Sequence, residues 1–151
     1  QQVPDTQIVT YSFPDSKAVM VYEQRLWSPY VQEGFENGVA FYGTNGYLLV
    51  GRAGWHVVGP RNKPVSSASG KFSDDPHRQN FLECIKSSGR PNADIEEGHR
   101  STVLAHLGNI AYRVGRSLAY DGKAETIHHD DEAAALLRRT YRRPFAVPDQ
   151  V

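Results

Sequence analysis

The stretch GVAFYGTNGYLLVGR, residues 38–52, decides the fold of this 151-residue chain. Two apolar runs flank Asn45-Gly46, and this dipeptide tolerates the positive φ angles that the two central positions of a tight hairpin turn require. The stretch therefore predicts two antiparallel strands joined by a short turn. The segment GWHVVG that follows predicts one more strand of the same sheet.

The segment DTQIVTYSFPDSKAVMVYEQRLWSPY, residues 5–30, predicts another hairpin upstream. Val9, Tyr11 and Phe13 alternate with polar residues, which is the period of a strand that buries one face. The residues PDS then favour a tight turn. The first sixty residues are thus expected to form a five-stranded β-meander.

The segment PRNKPVSSASGKFSDD, residues 60–75, is rich in Pro, Ser and Gly and predicts an exposed connector. Asp75-Pro76 predicts a helix start, with aspartate as the cap and proline at the first helical position. Gly89 predicts the end of that helix. The apolar stripe of this helix consists of Phe81, Leu82 and Ile85.

A second helix is predicted to begin near Asp94, with Glu97 as its capping-box partner. Small residues such as Gly108 predict that another element approaches this helix closely. A third, short helix is expected from about Asp131 to Arg139. The apolar stripe of the second helix recurs at helical spacing through Val103, Leu107, Ile110 and Val114.

Strands followed by helices predict an α+β fold, with an open antiparallel β-sheet (a meander) and two to three helices packed on one face. The whole chain, residues 1–151, is expected to be a single domain. Met20, Tyr22, Tyr47 and Leu49 are placed on strand faces that the helices do not fully cover. An apolar outer face of this kind predicts an interface with another chain or domain, although exposed aromatic residues on strands are also common.

Composition excludes several classes of function. The apolar fraction is 39%, which is typical of a soluble globular protein, and no apolar run is long enough to span a bilayer. Lys plus Arg equals Asp plus Glu at 17 each, so net charge gives no argument for binding nucleic acid or a membrane surface. A single cysteine, Cys84, excludes an internal disulfide and a multi-cysteine zinc site, and is expected to lie inert in the core.

Four segments together resemble the C-terminal part of the Gfo/Idh/MocA oxidoreductases, in the bacterial branch described as sugar or inositol dehydrogenases. They are PDTQIVTYSFPDSKAVMVYEQRLW, FYGTNGYLLVGRAGWHVV, HRQNFLECIKSSGRPNADIEEGHRS and HLGNIAYRVGR, and DDEAAALLRRTYRRPFAVP extends the resemblance toward the end of the chain. The resemblance implies an NAD(P)-dependent parent protein that acts on a carbohydrate. It also implies a bacterial protein, without deciding between the cytoplasm and the periplasm.

The same resemblance implies two domains, of which the first is a nucleotide-binding Rossmann domain. The chain contains no G-x-G-x-x-G between a strand and a helix, so the N-terminal Rossmann domain is expected to be absent. The catalytic histidine of the family also usually lies ahead of this segment. Asn62-Lys63-Pro64 superficially resembles the family's Glu-Lys-Pro motif, but it lacks the glutamate and lies in the predicted connector. We therefore expect no catalytic residue, no cofactor site and no metal site in this chain, and no activity without the Rossmann half.

The best candidates for substrate contact lie in RLWSPY, where Arg25, Trp27 and Tyr30 follow a strand. Aromatic rings stack on the apolar faces of sugars, and arginine donates paired hydrogen bonds to hydroxyls or carboxylates. The alternative is that Trp27 anchors the loop to the core. His77 and His99 complete the candidate set as imidazole hydrogen-bonding groups.

Two other histidine patterns are ambiguous. His99, His106 and Arg113 recur every seven residues, so they share a helix face that could line a cleft or simply meet solvent. The run HHDDE, residues 128–132, has the side chains of a metal site, but adjacent residues rarely converge on one ion, and Asp130 or Asp131 is explained as a helix cap.

Three functions remain open from the sequence. The first is the substrate-binding and oligomerisation domain of a sugar or cyclitol oxidoreductase, which would form homo-oligomers through the sheet face. The second is a stand-alone binding or assembly module that uses the same face. The third is a small metal-dependent enzyme that uses the histidines.

Overall fold

A computed structural model describes residues 3–147. The strands and helices in chain order are β1 (Thr6–Phe13), β2 (Ala18–Arg25), β3 (Gly38–Gly43), β4 (Gly46–Gly51), β5 (Gly54–Gly59), β6 (Lys63–Ser69), α1 (Asp75–Ser87), α2 (Ile95–Val114), β7 (Ala119–Asp121), β8 (Thr126–His128) and α3 (Asp131–Ala135). The predicted α+β class, with open antiparallel sheets and three helices, is confirmed.

The chain divides into two compact units. Arg25–Ala93 form the sheet unit, which contains β3 to β6 and α1. The described residues on either side of that segment form the helix unit, which contains the β1–β2 hairpin, α2, the β7–β8 hairpin and α3. The strands accordingly form three separate antiparallel sheets, whereas the sequence predicted one five-stranded meander.

The hairpin predicted around Asn45-Gly46 forms, but its turn lies one residue earlier. Gly43 pairs with Gly46, so the central turn residues are Thr44 and Asn45. Gly46 is instead the first residue of β4 and has a φ of 145°. A Cβ atom at Gly46 would lie 2.2 Å from the carbonyl oxygen of Val58 on β5. Glycine is therefore required here by the close approach of the next strand.

The predicted connector contains a strand. β6 (Lys63–Ser69) pairs antiparallel with β5, with His56 opposite Ser67. A 3₁₀ turn at Pro60–Asn62 reverses the chain, with Arg61 and Asn62 at positive φ. All seven residues of β6 are exposed, so the strand shows no alternation of buried and exposed side chains. It forms through backbone hydrogen bonds, which the side-chain pattern does not reveal.

The exposed apolar face of the four-stranded sheet is not the one that the sequence predicted. Leu49, predicted to face outward, is 7% exposed, and it shares its face with His56. The ring of Phe35 lies over this face, 5.7 Å from the His56 ring and against Gly51. The sequence offers Trp27 as the residue that anchors the loop ahead of β3, but Phe35 is the residue of that loop that packs against the sheet.

The opposite face of the same sheet is apolar and open. We call it the open sheet face, and it carries Val39 (55% exposed), Phe41 (59%), Val50 (38%) and Trp55 (37%). Val39, Val50 and Trp55 lie side by side on neighbouring strands. On β2, Met20 is half-buried and Tyr22 is 37% exposed.

The core of the helix unit is the cluster of Leu107, Ile110, Ile127 and Ala133. α2 begins as predicted after Asp94, whose carboxylate accepts the backbone N–H of Glu96 at 2.9 Å. β8 supplies Ile127 and α3 supplies Ala133. The β7–β8 hairpin was not predicted, and α3 ends at Ala135 rather than at Arg139.

The predicted close approach to α2 is confirmed at Gly108. A Cβ atom there would lie 2.9 Å from Cγ2 of Val9, on β1. Two β1 side chains also bond to the helix backbone: Tyr11 donates its hydroxyl to the Leu104 carbonyl at 2.6 Å, and Gln7 donates to the Gly108 carbonyl at 3.0 Å. β1 therefore runs antiparallel to α2.

α1 begins at Asp75 with Asp74 as its N-cap residue, one position earlier than predicted. The Asp74 side chain makes no capping hydrogen bond. The apolar stripe of α1 remains exposed, since Phe81, Leu82 and Ile85 are 55%, 56% and 62% exposed. Within residues 3–147, no helix has the length and apolar character needed to cross a membrane.

Candidate functional site

Three of the five candidate contact residues lie in one exposed loop of the sheet unit. Arg25 ends β2, and a tight turn follows in which the Ser28 N–H donates to the Arg25 carbonyl at 3.2 Å. The ring of Trp27 is 66% exposed and that of Tyr30 is 80% exposed. This exposure does not favour Trp27 as an anchor in a core. The two rings are accessible for stacking on a ligand.

The two candidate histidines lie on different helices in different units. His77 is exposed in the first turn of α1, in the sheet unit. His99 lies near the start of α2, in the helix unit. His77 therefore shares its unit with Arg25, Trp27 and Tyr30, and His99 does not.

His99 forms the most clearly defined side-chain pair among the candidates. Its Nε2 lies 2.7 Å from Oε1 of Glu125, in the turn between β7 and β8. The His99 and Glu125 side chains are 45% and 53% exposed. When the carboxylate accepts a hydrogen bond from Nε2, Nδ1 stays available to a second partner, such as a hydroxyl group. The pair was not predicted, because nothing in the sequence links residue 99 to residue 125.

The His99–Glu125 pair lines a groove of about 1430 Å³ in the helix unit. We call it the β1–α2 groove. Its lining comes from β1 and the turn after it, from α2 between Glu96 and Tyr112, and from the segment that contains β7. Of the three residues predicted to share a helix face, His99 lines this groove, and His106 and Arg113 are not among its lining residues.

The wall formed by β1 is fixed by Tyr11, which lines the groove. Burial raises the pKa of the Tyr11 phenol, and the neighbouring Tyr22 adds to the effect. Tyr11 therefore stays protonated over the physiological range and continues to donate to the Leu104 carbonyl.

Arg116 stabilises the end of the helix unit where α2, β8 and α3 meet. Its guanidinium donates two hydrogen bonds to Asp130, each at 2.7 Å, and one to Glu132 at 2.8 Å. Asp130 also accepts the Ala133 N–H at 3.0 Å and so caps α3, which decides between the two predicted cap positions, Asp130 and Asp131. The hydrogen bond from Arg116, followed by that from the Ala133 N–H, lowers the pKa of Asp130.

The run HHDDE does not assemble into a metal site. Nε2 of His128 lies 3.7 Å from Oδ2 of Asp121, whereas Asp130 bonds to Arg116 and to the α3 backbone. Among residues 3–147, no three His, Cys, Asp or Glu side chains are arranged to hold a metal ion. Adjacent residues of the run bind separate partners.

The helix N-termini do not fit the diphosphate of a dinucleotide. Each of the three helices described begins with carboxylates: Asp75 in α1, Glu96 and Glu97 in α2, Asp131 and Glu132 in α3. A diphosphate binds at a helix N-terminus through free N–H groups and the positive end of the helix dipole. Carboxylates at these positions repel it, so these residues do not form an NAD(P) phosphate site.

Comparison with known protein families matches residues 65–147 to the family described as "Oxidoreductase family, C-terminal alpha/beta domain" of the Gfo/Idh/MocA proteins. The match covers more than half of the chain. This chain belongs to that family. Family members pair this C-terminal domain with an N-terminal partner domain. No match was found among curated proteins or among solved structures.

Proposed function

We propose that this chain is the substrate-binding and oligomerisation domain of an NAD(P)-dependent sugar or cyclitol oxidoreductase. The observation that carries the proposal is the family match over residues 65–147. The chain is one C-terminal domain in this proposal. The cofactor belongs to the N-terminal partner domain, and catalysis requires both domains.

The residues proposed for substrate contact are Arg25, Trp27, Tyr30 and His77 in the sheet unit and, as a separate contact, His99 in the helix unit. The exposure of Trp27 and Tyr30 supports the proposal, because an aromatic ring must be accessible to stack on the apolar face of a sugar. The half-exposed His99 supports it because Glu125 holds Nε2 and leaves Nδ1 for a hydroxyl. Arginine adds the paired donors that suit hydroxyl or carboxylate oxygens.

Oligomerisation through the open sheet face is the second part of the proposal. Val39, Phe41, Val50 and Trp55 form an apolar surface on neighbouring strands, and apolar surfaces of this kind commonly mark interfaces. A second copy of the chain is the proposed partner, because the same face on each copy can pair about a two-fold axis. Burial of this face would give the sheet unit the second packed layer that a domain requires.

The test is the molar mass in solution of a matched pair of variants, measured by light scattering. Phe41→Asp places a charge in the open sheet face, and Phe81→Asp places the same charge on α1 at a phenylalanine of similar exposure (59% and 55%). We expect the wild type and Phe81→Asp to be oligomers and Phe41→Asp to be a monomer. A monomeric wild type, or equal masses for both variants, would refute the oligomerisation role.

A separate measurement tests the division of labour between domains. Titration of the 151-residue chain with NADH or NADPH is expected to show no binding, since its helix N-termini carry carboxylates. Saturable binding of either nucleotide would contradict the assignment of the cofactor to the partner domain. An intact native protein near 16.9 kDa would favour the alternative, a stand-alone binding or assembly module.

A further inference from the structure

The β1–α2 groove runs along the edge of β1. Every residue from Thr6 to Ser16 lines it. Successive side chains of a strand point to opposite faces of the sheet. A groove over one face would be lined by alternate residues, whereas a groove beside the strand is lined by all of them. The lining therefore places the edge of β1, with its backbone N–H and C=O groups, in the groove wall.

Two of the strands that line the groove have a strand neighbour on one side only. Across the described part of the chain, β1 pairs with β2 alone and β7 pairs with β8 alone. Tyr120 of β7 also lines the groove, together with Leu118 just before the strand and Gly122 just after it. An edge strand presents a row of backbone donors and acceptors that readily pair with another strand. Two such edges thus border one space.

The side of the groove formed by α2 is apolar and made of both large and small residues. Val103, Leu107 and Ala111 of α2 line it, and Gly108 contributes no side chain. Leu107 belongs to the core of the helix unit, so the groove reaches that core. An extended segment in the groove would rest alternate side chains on the half-buried Val103 and Ala111, since Leu107 and Gly108 are already buried.

We propose that the β1–α2 groove binds a single extended polypeptide strand, which pairs with the edge of β1 and buries alternate apolar side chains against α2. Strand addition of this kind takes its affinity from main-chain hydrogen bonds and its specificity from alternate side chains.

The source of the strand is the N-terminal partner domain that the family pairs with this one. A segment that joins such a domain to this one would be the sequence neighbour of β1. Sequential elements usually lie next to each other in space, and a short connection costs little loop entropy. The His99–Glu125 pair lies near the start of α2, and its two side chains are 45% and 53% exposed.

Hydrogen–deuterium exchange of β1 tests the proposal, with the native protein isolated from its source compared with the 151-residue chain. In an antiparallel pair, alternate residues bond to the same neighbour. In the 151-residue chain, one alternate set of amides (either Gln7, Val9 and Tyr11, or Ile8, Thr10 and Ser12) should therefore be protected by β2 and the other set should exchange freely. In the native protein we expect the free set to exchange slower by on the order of 100-fold.

The central strand β4 is the internal control, because it is paired on both sides and should exchange equally in both forms. Equal exchange of the free set in both forms would overturn the proposal, and so would a slowing in the native protein that is not confined to that set. Protection that appears in the 151-residue chain as its concentration rises would also overturn it, because the strand would then come from a second copy.

Discussion

The helix unit and the sheet unit bury their apolar residues to different extents. In the helix unit, α2, β8 and α3 contribute Leu107, Ile110, Ile127 and Ala133 to one buried cluster. In the sheet unit, Leu49 is the one large apolar residue described as buried, and apolar side chains on the open sheet face and on α1 are exposed. The helix unit is thus stabilised mainly by side-chain packing. The sheet unit is stabilised mainly by the backbone hydrogen bonds between its strands.

This difference identifies the unit that leaves more apolar surface exposed among the described residues. Buried apolar area contributes roughly 25 cal/mol per Å², so a sheet with one face uncovered forgoes much of the stabilisation that its side chains could supply. Covering the open sheet face would recover it. The helix unit has its own core, and in the part of the chain that the structure describes, β1 and β7 each have a strand neighbour on one side only.

A pair of leucine substitutions tests whether the helix unit is better packed than the sheet unit. Leu107→Ala removes a side chain that is 8% exposed in the helix unit, and Leu82→Ala removes one that is 56% exposed on α1. We expect Leu107→Ala to lower the free energy of unfolding by about 2–5 kcal/mol through the cavity it leaves. Leu82→Ala should change it by less than about 0.5 kcal/mol. Urea denaturation measures both, and an equal loss would show that α1 is as well packed as α2.

A pair of glycine substitutions within α2 tests how closely β1 approaches this helix in the helix unit. At Gly108 an added methyl group would crowd Cγ2 of Val9 at 2.9 Å, and at Gly98 it would meet nothing within 4 Å. Valine is stiff about χ1, so we expect Gly108→Ala to destabilise the chain by about 1 kcal/mol. Gly98→Ala should stabilise it by about 0.5–1 kcal/mol, because alanine favours the helix. Thermal unfolding of the two variants measures the difference, and a gain at both positions would place β1 farther from α2.

The ion pair at Asp130 should give the smallest effect, and a pH dependence identifies it. Because the pKa of Asp130 is lowered in the folded chain, its stabilisation is present above the ordinary pKa of about 4 and is lost as the pH falls through the lowered value. Asp130→Asn keeps a capping side chain but removes the charge. We expect it to be less stable than the wild type at neutral pH and equally stable at strongly acidic pH.

Urea unfolding at the two pH values measures that effect. Asp74→Asn is the control, because Asp74 occupies an N-cap without a capping hydrogen bond from its side chain. If Asp130→Asn lowers the free energy of unfolding by the same amount at both pH values, the charge of Arg116 contributes nothing to the stability.

Prediction from sequence worked where a local rule acts on neighbouring residues. The start of α2 at Asp94, the cap at Asp130 and the close approach at Gly108 each follow from residues a few positions apart. The loop with Trp27 and Tyr30 was also placed correctly after a strand, and its role in binding stays a prediction. The β7–β8 hairpin was missed because strands of three residues are too short to show a period, although Asp121-Gly122 is a turn signal.

The sequence by itself determined the α+β class, the existence of the main strands and helices, and the family. Those properties depend on periodicity, caps and turns, which are local and can be recognised along the chain. Only the tertiary structure decided that β6 joins the sheet, that Phe35 covers the Leu49 face and that His99 meets Glu125. These contacts join residues that are distant in sequence or that pair through the backbone, and neither kind leaves a periodic pattern of side chains.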